Sequence, residues 1–423
     1  METVRVYSWK PANSINFGDE IGPMIVQALC RKANLDLNIL PTTSPTHSKL
    51  LAVGSVLHEA RGSDVVWGVG INSKHQSLLP KNANIRFNAV RGPLTRSIVR
   101  DQGFNCPEVY GDPGLLFPML FDQEIRARRA ELERSAHELG TKMPKTIVIP
   151  NINDDRFLPY FTASKIDEDV MFVRPNFSPI TVAAYISAAK RVICSSLHGL
   201  VFADVYGRST TRMISHFEPE FKYSDYYEGT GRRTPRTYPD LRSALDGEEI
   251  PRLDWNPEPI LNAFPLFDET VVRSLSVTTF EMKPNKSYEV AQLSDNKTPL
   301  VKGWAKPTSG SAWSTETWAE FEFLVKESLS PSAKLRMRVG TLSKGASAFV
   351  LIQVVHKDAV IATHQILRNE PGHAIEVPLP APENGGKITL RFKIENASKP
   401  VDYGLGPDPR ALGIWLSNFE ITS

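Results

Sequence analysis

Cysteine, excess charge of either sign and long apolar runs are all scarce in this 423-residue chain. Cys30, Cys106 and Cys194 are far apart and lie beside apolar segments, which favours buried reduced thiols over a disulfide framework or a metal-ligand cluster. The formal net charge of +2 argues against a general nucleic-acid binder. No apolar window approaches the length of a membrane span, and no basic region precedes an apolar stretch at the N-terminus. We therefore expect a soluble, cytoplasmic protein without a transmembrane segment.

The first part of the chain, residues 1–115, alternates short apolar strands with helical segments. Strands are predicted at residues 4–9, 51–55, 65–70 and 85–90. Pro93 suits the first turn of a helix that follows the last of these strands, and Gly103 suits its end. This β-loop-α rhythm indicates a parallel, doubly wound sheet, which makes residues 1–115 a first Rossmann-like half.

Residues 116–274 show the same rhythm and are predicted to form a second Rossmann-like half. Strands are expected at residues 146–149, 171–173 and 191–193, and helices at 121–139 and 180–190. Residues 221–233 mix aromatic, glycine and basic residues, which fits a mobile substrate loop or a plain surface loop. Two such halves in a GT-B-like arrangement would enclose a cleft, where ligands commonly bind.

From residue 275 to 423 the helical periodicity nearly disappears and short strands alternate with turn-rich pieces. The predicted strands are residues 318–324, 348–355, 375–379, 387–394 and 412–421. Strands at this spacing indicate an antiparallel β-sandwich, and the final strand fits a jelly-roll-like accessory module. Trp304, Trp313 and Tyr403 are open between sugar stacking and core packing, whereas we expect Trp318 in the core.

The turn Cys194-Ser195-Ser196-Leu197-His198-Gly199 is the most informative motif, because an apolar strand precedes it and an apolar helix follows it. His198 is thereby predicted at a helix N-terminus and at the carboxyl end of a strand, where free N–H groups and the helix dipole favour an anion. Imidazole is also well suited to proton transfer near neutral pH. The alternative is a polar loop whose histidine caps a neighbouring carbonyl.

Several short motifs in residues 1 to about 240 together resemble the polysaccharide pyruvyl transferase family, in particular its branch of bacterial exopolysaccharide assembly. They are Asn16-Phe17-Gly18-Asp19, Val90-Arg91-Gly92-Pro93-Leu94-Thr95, Gly111-Asp112-Pro113 and Ser195-Ser196-Leu197-His198-Gly199. Many members carry an arginine immediately before the Leu-His-Gly, where this chain has Ser196. If that arginine holds the anionic donor, another cation must replace it here.

The resemblance implies transfer of the enolpyruvyl unit of phosphoenolpyruvate, the donor substrate, to two hydroxyls of one sugar, forming a pyruvate ketal. The acceptor would be an oligosaccharide or polysaccharide, and a lipid-linked acceptor would place the enzyme peripherally at the inner membrane face. No cofactor is implied. Since the histidines lack ligand spacing, we also expect no required metal. The oligomeric state is left open.

The same resemblance gives the motif residues roles. His198 would protonate the methylene carbon of the donor, and Arg91 would clamp its carboxylate or phosphate unless it forms a structural salt bridge. Asp19 would bind sugar hydroxyls or act in catalysis, or else serve as an N-cap. Asp112 would be a general base on an acceptor hydroxyl, or else start a turn. The other predicted substrate-binding residues are Asn16, Gly18, Ser195, Ser196, Gly199, Lys222 and Arg232.

Two other functions fit the same sequence. A two-Rossmann-domain glycosyltransferase would use a nucleotide sugar in the same cleft, although no ribose-binding carboxylate is evident. A degenerate transferase joined to a β-sandwich would instead form a non-catalytic carbohydrate-binding scaffold. Turnover of phosphoenolpyruvate and its loss in a His198→Ala variant would separate these functions.

Overall fold

The computed structural model describes most of the chain. The described residues are 2–9, 15–44, 47–74, 79–81, 83–154, 169–277, 279–293, 298–305, 307, 310–368, 370–382, 386–406, 408 and 410–422. They form two compact units. The first comprises residues 1–43 and 49–276, and the second comprises residues 44–48 and 277–423.

The first unit begins with a parallel sheet in the strand order β2-β1-β3-β4-β5. The strands are β1 (Glu2–Tyr7), β2 (Leu37–Thr42), β3 (Leu50–Leu51), β4 (Val65–Trp67) and β5 (Arg86–Ala89). Helix α1 (Phe17–Lys32) follows β1, and helix α2 (Pro93–Asp101) follows β5 with Pro93 in its first turn. Every pairing within this sheet is parallel. The predicted α/β class is confirmed for this part of the chain.

A second parallel sheet follows in the same unit, with the order β10-β9-β8-β6-β7. Its strands are β6 (Thr146–Ile149), β7 (Val170–Phe172), β8 (Arg191–Cys194), β9 (Ser209–Met213) and β10 (Thr237–Tyr238). The helices are α3 (Phe117–Leu120), α4 (Asp122–Glu138), α5 (Pro179–Ala188), α6 (Leu197–Val205), α7 (Phe221–Gly229), α8 (Leu241–Leu245), α9 (Glu258–Asn262) and α10 (Glu269–Leu275). The parallel sheet places the carboxyl end of β8 directly before α6, as the motif around His198 predicts.

Helix α7 corrects the prediction that residues 221–233 form a loop. Tyr223, Tyr226 and Tyr227 recur at helical spacing and are buried in the core of the first unit. Three large apolar rings on one face stabilise a helix by burial, even where glycine and basic residues follow. The helical spacing of the three tyrosines therefore determines the structure of residues 221–229, although the glycine and basic residues of the segment are typical of a turn.

The second unit is built of two sheets that contribute to one hydrophobic core. One sheet has the order β11-β15-β20-β17-β18 with β13 beside β15, and the other has the order β12-β21-β16-β19 with β14 beside β21. The strands are β11 (Phe280–Glu281), β12 (Ser287–Glu289), β13 (Leu300–Lys302), β14 (Ala312–Trp313), β15 (Trp318–Leu324), β16 (Lys334–Thr341), β17 (Phe349–His356), β18 (Ala359–Leu367), β19 (His373–Pro378), β20 (Lys387–Glu395) and β21 (Ile414–Thr422). Apart from the parallel pair β11 and β15, the pairings are antiparallel, which confirms the predicted antiparallel sheet region.

One tryptophan of this unit differs from expectation, and another that the sequence left open lies in the core. Trp318 is 41% exposed, and the prediction that it lies in the core is wrong. It shares an outward face with Glu320, since the period of two along β15 turns Ala319 and Phe321 inward. Trp304 is buried instead, and its indole Nε1–H donates to the Glu320 carbonyl over 2.9 Å.

In the described part of the chain, none of the helices combines the length and the hydrophobicity needed to cross a bilayer. The three cysteines are buried and unpaired.

Candidate active site

A cavity of about 210 Å³ in the first unit gathers residues that follow strand ends in both parallel sheets. Trp9 and Asn72 follow β1 and β4 of the first sheet, while Asn153 and His198 follow β6 and β8 of the second. Open α/β sheets bind ligands outside the carboxyl ends of their strands. The cavity is therefore where a ligand is expected on topological grounds.

His198 lies on the floor of this cavity, in the first turn of α6. Ser196 is the N-cap, and its hydroxyl accepts a hydrogen bond from the Gly199 N–H over 3.3 Å. Gly18 of α1 packs against the imidazole so closely that a Cβ there would lie 2.0 Å from His198 Nδ1. The glycine thus allows the ring to lie against α1, and His198 joins elements of both sheets.

Asp112 faces the other ring nitrogen of His198. Its Oδ2 lies 3.6 Å from His198 Nε2, and both atoms are buried with no hydrogen-bond partner among the described residues. The other carboxylate oxygen accepts from the Gly114 N–H over 2.8 Å, which fixes the side chain at the start of a 3₁₀ turn. A buried carboxylate in this position stabilises a protonated imidazole and selects its orientation.

The position of Asp112 does not support the predicted general-base role on an acceptor hydroxyl. The side chain is buried behind His198 and does not line the cavity. A base must reach the proton that it removes directly or through one water. The geometry instead lets Asp112 act through His198, while it also starts the turn that the sequence suggested.

Asp19 lines the cavity beside His198. Its carboxylate accepts a hydrogen bond from the Asn16 side-chain amide, and Asn16 occupies the N-cap position of α1. Asp19 therefore lies inside the first turn and is not the N-cap that the sequence allowed. Burial raises the pKa of the Asp19 carboxyl, against the lowering effect of His198.

The charged wall of the cavity comes from α7 and the turn before it. Lys222 Nζ donates to Glu218 over 2.8 Å, and Glu218 also accepts from Lys74 and, over 3.0 Å, from the Asn153 amide. Burial lowers the pKa of Lys222 to about 8, although Glu218 opposes that shift. Burial alone would raise the pKa of Glu218, but Lys222 and Lys74 hold it below its ordinary value. Lys222 and Lys74 thus share the Glu218 carboxylate in the wall of the cavity.

The backbone donors at the α6 turn differ from those that were predicted. The N–H groups of Ser195 and Ser196 donate to the Ile149 carbonyl over 3.2 and 3.3 Å, and that of Gly199 donates to Ser196. These three groups are therefore not the phosphate donors that the motif suggested. The N–H groups of the first helical turn have no intrahelical acceptor, and Leu197 and His198, which line the cavity, contribute two of them.

The Ser195 hydroxyl is also held within the protein. It donates to Asp154 over 2.9 Å and accepts from the Asn151 N–H over 2.9 Å. Ser195 therefore shapes the turn but does not line the cavity, whereas Ser196 does.

Arg91 is fully buried and does not line the cavity. Its guanidinium donates to Asp225 of α7 over 3.0 Å, to the Ser55 hydroxyl over 2.6 Å and to the Ile71 carbonyl over 2.8 Å. These contacts favour the structural salt bridge over the donor clamp. Ser55 lies between Arg91 and the cavity.

Arg232 likewise lies outside the cavity. Its guanidinium forms a two-point contact with Asp204, over 2.6 and 3.0 Å, beside the ring of Tyr227. The Tyr226 hydroxyl donates to the same carboxylate over 2.7 Å. Of the predicted substrate-binding cations, Lys222 alone lines the described cavity.

Several cavity residues were not identified from the sequence. The polar and aromatic ones include Trp9, Ser55, His58, Asn72, Lys74, Asn153 and Glu218. The signal available for them was their position shortly after strand ends, since polar and aromatic residues there are brought to one edge of a parallel sheet. Within the described residues, no group of three or more His, Cys, Asp or Glu side chains is arranged to hold a metal ion.

Comparison with known proteins gives one family match. Residues 16–216 match the family model described as polysaccharide pyruvyl transferase, a segment that contains Asn16, Asp19, Arg91, Asp112 and His198. No curated protein matches the chain.

Similarities to solved structures are slight. A functional uncharacterized protein from Klebsiella pneumoniae is 11% identical, with 53% of this chain and 87% of that chain covered and a TM-score of 0.31. The β-1,3-glucan binding CBM6 from Bacillus halodurans is 8% identical, with 34% and 99% covered and a TM-score of 0.21. The capsular polysaccharide assembling protein CapF from Staphylococcus aureus is 8% identical, with 65% and 96% covered and a TM-score of 0.13. Such low scores support no functional conclusion.

Proposed function

We propose that this chain, whose residues 16–216 match the polysaccharide pyruvyl transferase family, transfers pyruvyl from phosphoenolpyruvate to a sugar and forms a ketal. The family match supports a transferase of polysaccharide biosynthesis, and the donor and the ketal are the proposed refinement. The main observation behind the proposal is the environment of His198. The buried Asp112 carboxylate faces one of its ring nitrogens, and Lys74 and Lys222 line the cavity around it.

The cavity suits a small donor with two anionic groups. Lys222, Lys74 and the first-turn N–H groups of α6 offer positive charge and hydrogen-bond donors to a phosphate and a carboxylate. The cavity of about 210 Å³ has room for a three-carbon phosphate.

The proton steps follow from the positions of three side chains. His198 donates a proton to the methylene carbon of phosphoenolpyruvate, which leaves cationic character at C2, and Asp112 stabilises the charged imidazole before transfer. A sugar hydroxyl adds to C2 and gives its proton to Asp19, whose raised pKa suits a group that accepts a proton. The C2–O bond to the phosphate then breaks, and inorganic phosphate leaves with the proton held by Asp19. The second hydroxyl closes the ketal ring at C2 and gives its proton to the neutral His198, which restores the acid.

The proposal includes three features of the architecture. These are domain boundaries near residues 115 and 274, a GT-B-like arrangement of the two Rossmann-like halves, and a jelly-roll topology for the β-rich module. Residues that follow strand ends of both parallel sheets line one cavity, and this supports the GT-B-like arrangement of the two halves.

The test incubates the purified full chain with phosphoenolpyruvate and a panel of oligosaccharide acceptors. We expect release of inorganic phosphate together with an acceptor mass gain of one pyruvate less one water. A His198→Gln variant should lose this turnover, whereas His137→Gln, on the exposed surface of α4, should retain it. Transfer that requires a nucleotide sugar, or full turnover in His198→Gln, would contradict the proposal.

A further inference from the structure

Trp9 is an unusual residue in the cavity, because it is a large aromatic side chain that remains 38% exposed. It follows β1 by two residues, and the neighbouring Ser8 hydroxyl donates to the Asp19 carbonyl over 3.2 Å. The backbone around Trp9 is thus tied to the helix that supplies Asp19. Exposed aromatic surface inside a concave site is typical of ligand contact rather than core packing.

The cavity has a floor and a rim with different chemistry. His198 and Lys222 are nearly buried and form the polar floor, whereas the exposed Trp9 and the half-buried Asn72 form the rim. The side-chain oxygen Oδ1 of Asn72 is buried and has no hydrogen-bond partner in the described part of the protein. A buried acceptor without a donor is costly, and rotation of the half-buried Asn72 side chain would bring this oxygen to a ligand hydroxyl in the cavity that Asn72 lines.

We propose that Trp9 and Asn72 form the acceptor subsite, in which a pyranose ring stacks on the indole and donates a hydroxyl hydrogen bond to Asn72 Oδ1. This inference rests on the proposed function, because it assigns the floor to the donor and the rim to the sugar. A pyranose has an apolar C–H face and a polar edge of hydroxyls, which an aromatic plane and an amide oxygen complement. Asp19 lines the same cavity and would accept the proton of the reacting hydroxyl.

A nucleobase is the competing ligand for an exposed indole, since bases also stack on aromatic side chains. The volume of about 210 Å³ does not separate the two ligands, because the proposed function also places two molecules, the donor and the sugar, at this cavity. The orphan acceptor of Asn72 fits a hydroxyl donor in either ligand, so that atom does not discriminate. The two ligands are therefore separated by experiment.

Binding is tested without turnover by ¹⁹F NMR of the full chain labelled with 5-fluorotryptophan. The chain has 7 tryptophans, so the Trp9 resonance is assigned from its loss in a Trp9→Phe variant, and the others serve as internal controls. Methyl glycosides of glucose, galactose and mannose, and uridine monophosphate, are titrated separately. We expect at least one glycoside to shift the Trp9 resonance and uridine monophosphate to leave it unchanged. A shift with uridine monophosphate alone, or with none of the probes, overturns the subsite.

Kinetics provide the second readout. Trp9→Ala should raise the acceptor KM about tenfold, the order lost with one aromatic stacking contact, and leave the phosphoenolpyruvate KM unchanged. Trp9→Phe should recover most of the effect, Asn72→Ala should act in the same direction, and Phe267→Ala, an exposed aromatic outside the cavity, should have no effect. An unchanged acceptor KM in Trp9→Ala refutes the subsite while the transferase proposal stands. Glycoside binding at Trp9 without any turnover of phosphoenolpyruvate refutes the transferase proposal while the subsite stands.

Discussion

Replacing Arg91 separates a structural role from direct contact with the donor. Arg91 and Asp225 form a fully buried ion pair with an Nε–Oδ2 distance of 3.0 Å. Asp225 also accepts from the Thr95 N–H over 2.8 Å and from its hydroxyl over 2.7 Å. Arg91→Met leaves this carboxylate buried without its countercharge, which destabilises a protein by about 3–5 kcal/mol.

The magnitude converts into a measurable change of melting temperature. For a unit of this size, about 1 kcal/mol corresponds to a shift of roughly 2–4 °C, so Tm for the unit that contains Arg91 should fall by roughly 6–20 °C. Differential scanning calorimetry is suited to the measurement, because a two-unit chain can unfold in separate transitions. Replacing Asp225 by Leu in the same chain should recover part of the loss, since no isolated buried charge then remains.

A matched exposed pair gives the control. Arg86 and Asp268 are also 3.0 Å apart, but both side chains are exposed, and Arg86→Met should cost at most about 1 kcal/mol. At a temperature where both variants are folded, the phosphoenolpyruvate KM should change little for either one. An Arg91→Met protein with an unchanged Tm and a greatly raised phosphoenolpyruvate KM would show that Arg91 contacts the donor and that the structural interpretation is wrong.

Three further variants test the floor of the cavity. Asp112→Asn removes the charge that faces His198, and we expect kcat to fall by about 10²–10⁴-fold with little change in the phosphoenolpyruvate KM; an unchanged kcat would exclude the pairing. Gly18→Ala places a methyl group within 2.0 Å of His198 Nδ1, so kcat should fall, and an unaltered kcat would show that the ring moves without consequence. Since the pKa of Lys222 is about 8, the phosphoenolpyruvate KM should rise as the pH increases through 8 and the ammonium loses its proton. Lys222→Arg should abolish that pH dependence, because guanidinium stays charged; a flat wild-type profile would contradict the role of Lys222.

The sequence predicted the elements whose local pattern matches their environment. The apolar strand before the turn at residues 194–199 and the helix after it are continuous in sequence, and the structure contains them as β8 and α6. Proline at the start of α2 is a similarly local signal. These features depend on neighbours in the chain, so a single sequence is sufficient to find them.

Features that depend on distant residues were not predictable in the same way. The composition of residues 221–233 resembles a loop, but the partners that bury the α7 rings lie far away in sequence. Arg91 shows the same limit, because its carboxylate partner is 134 residues distant. Glu218 and Lys74 meet across 144 residues. Local patterns indicate which residues carry chemistry, whereas three-dimensional packing decides which of them face the cavity.

Helix α7 brings a lysine to the cavity, whereas Ser196 occupies the position at which many members of the polysaccharide pyruvyl transferase family carry arginine. Asp225 of the helix pairs with Arg91, which follows β5 of the first sheet. The Tyr223 hydroxyl of the same helix donates to the Ser195 carbonyl, in the turn before α6, over 2.5 Å. Lys222 directly precedes Tyr223 in the first turn of the helix, and its side chain lines the cavity. A lysine held by a rigid helix loses less conformational freedom on binding an anion than a lysine on a mobile loop. The positive charge at the floor therefore comes from helix α7 and not from the turn that contains Ser196, and the hydrogen bond of the adjacent Tyr223 ties Lys222 to that turn.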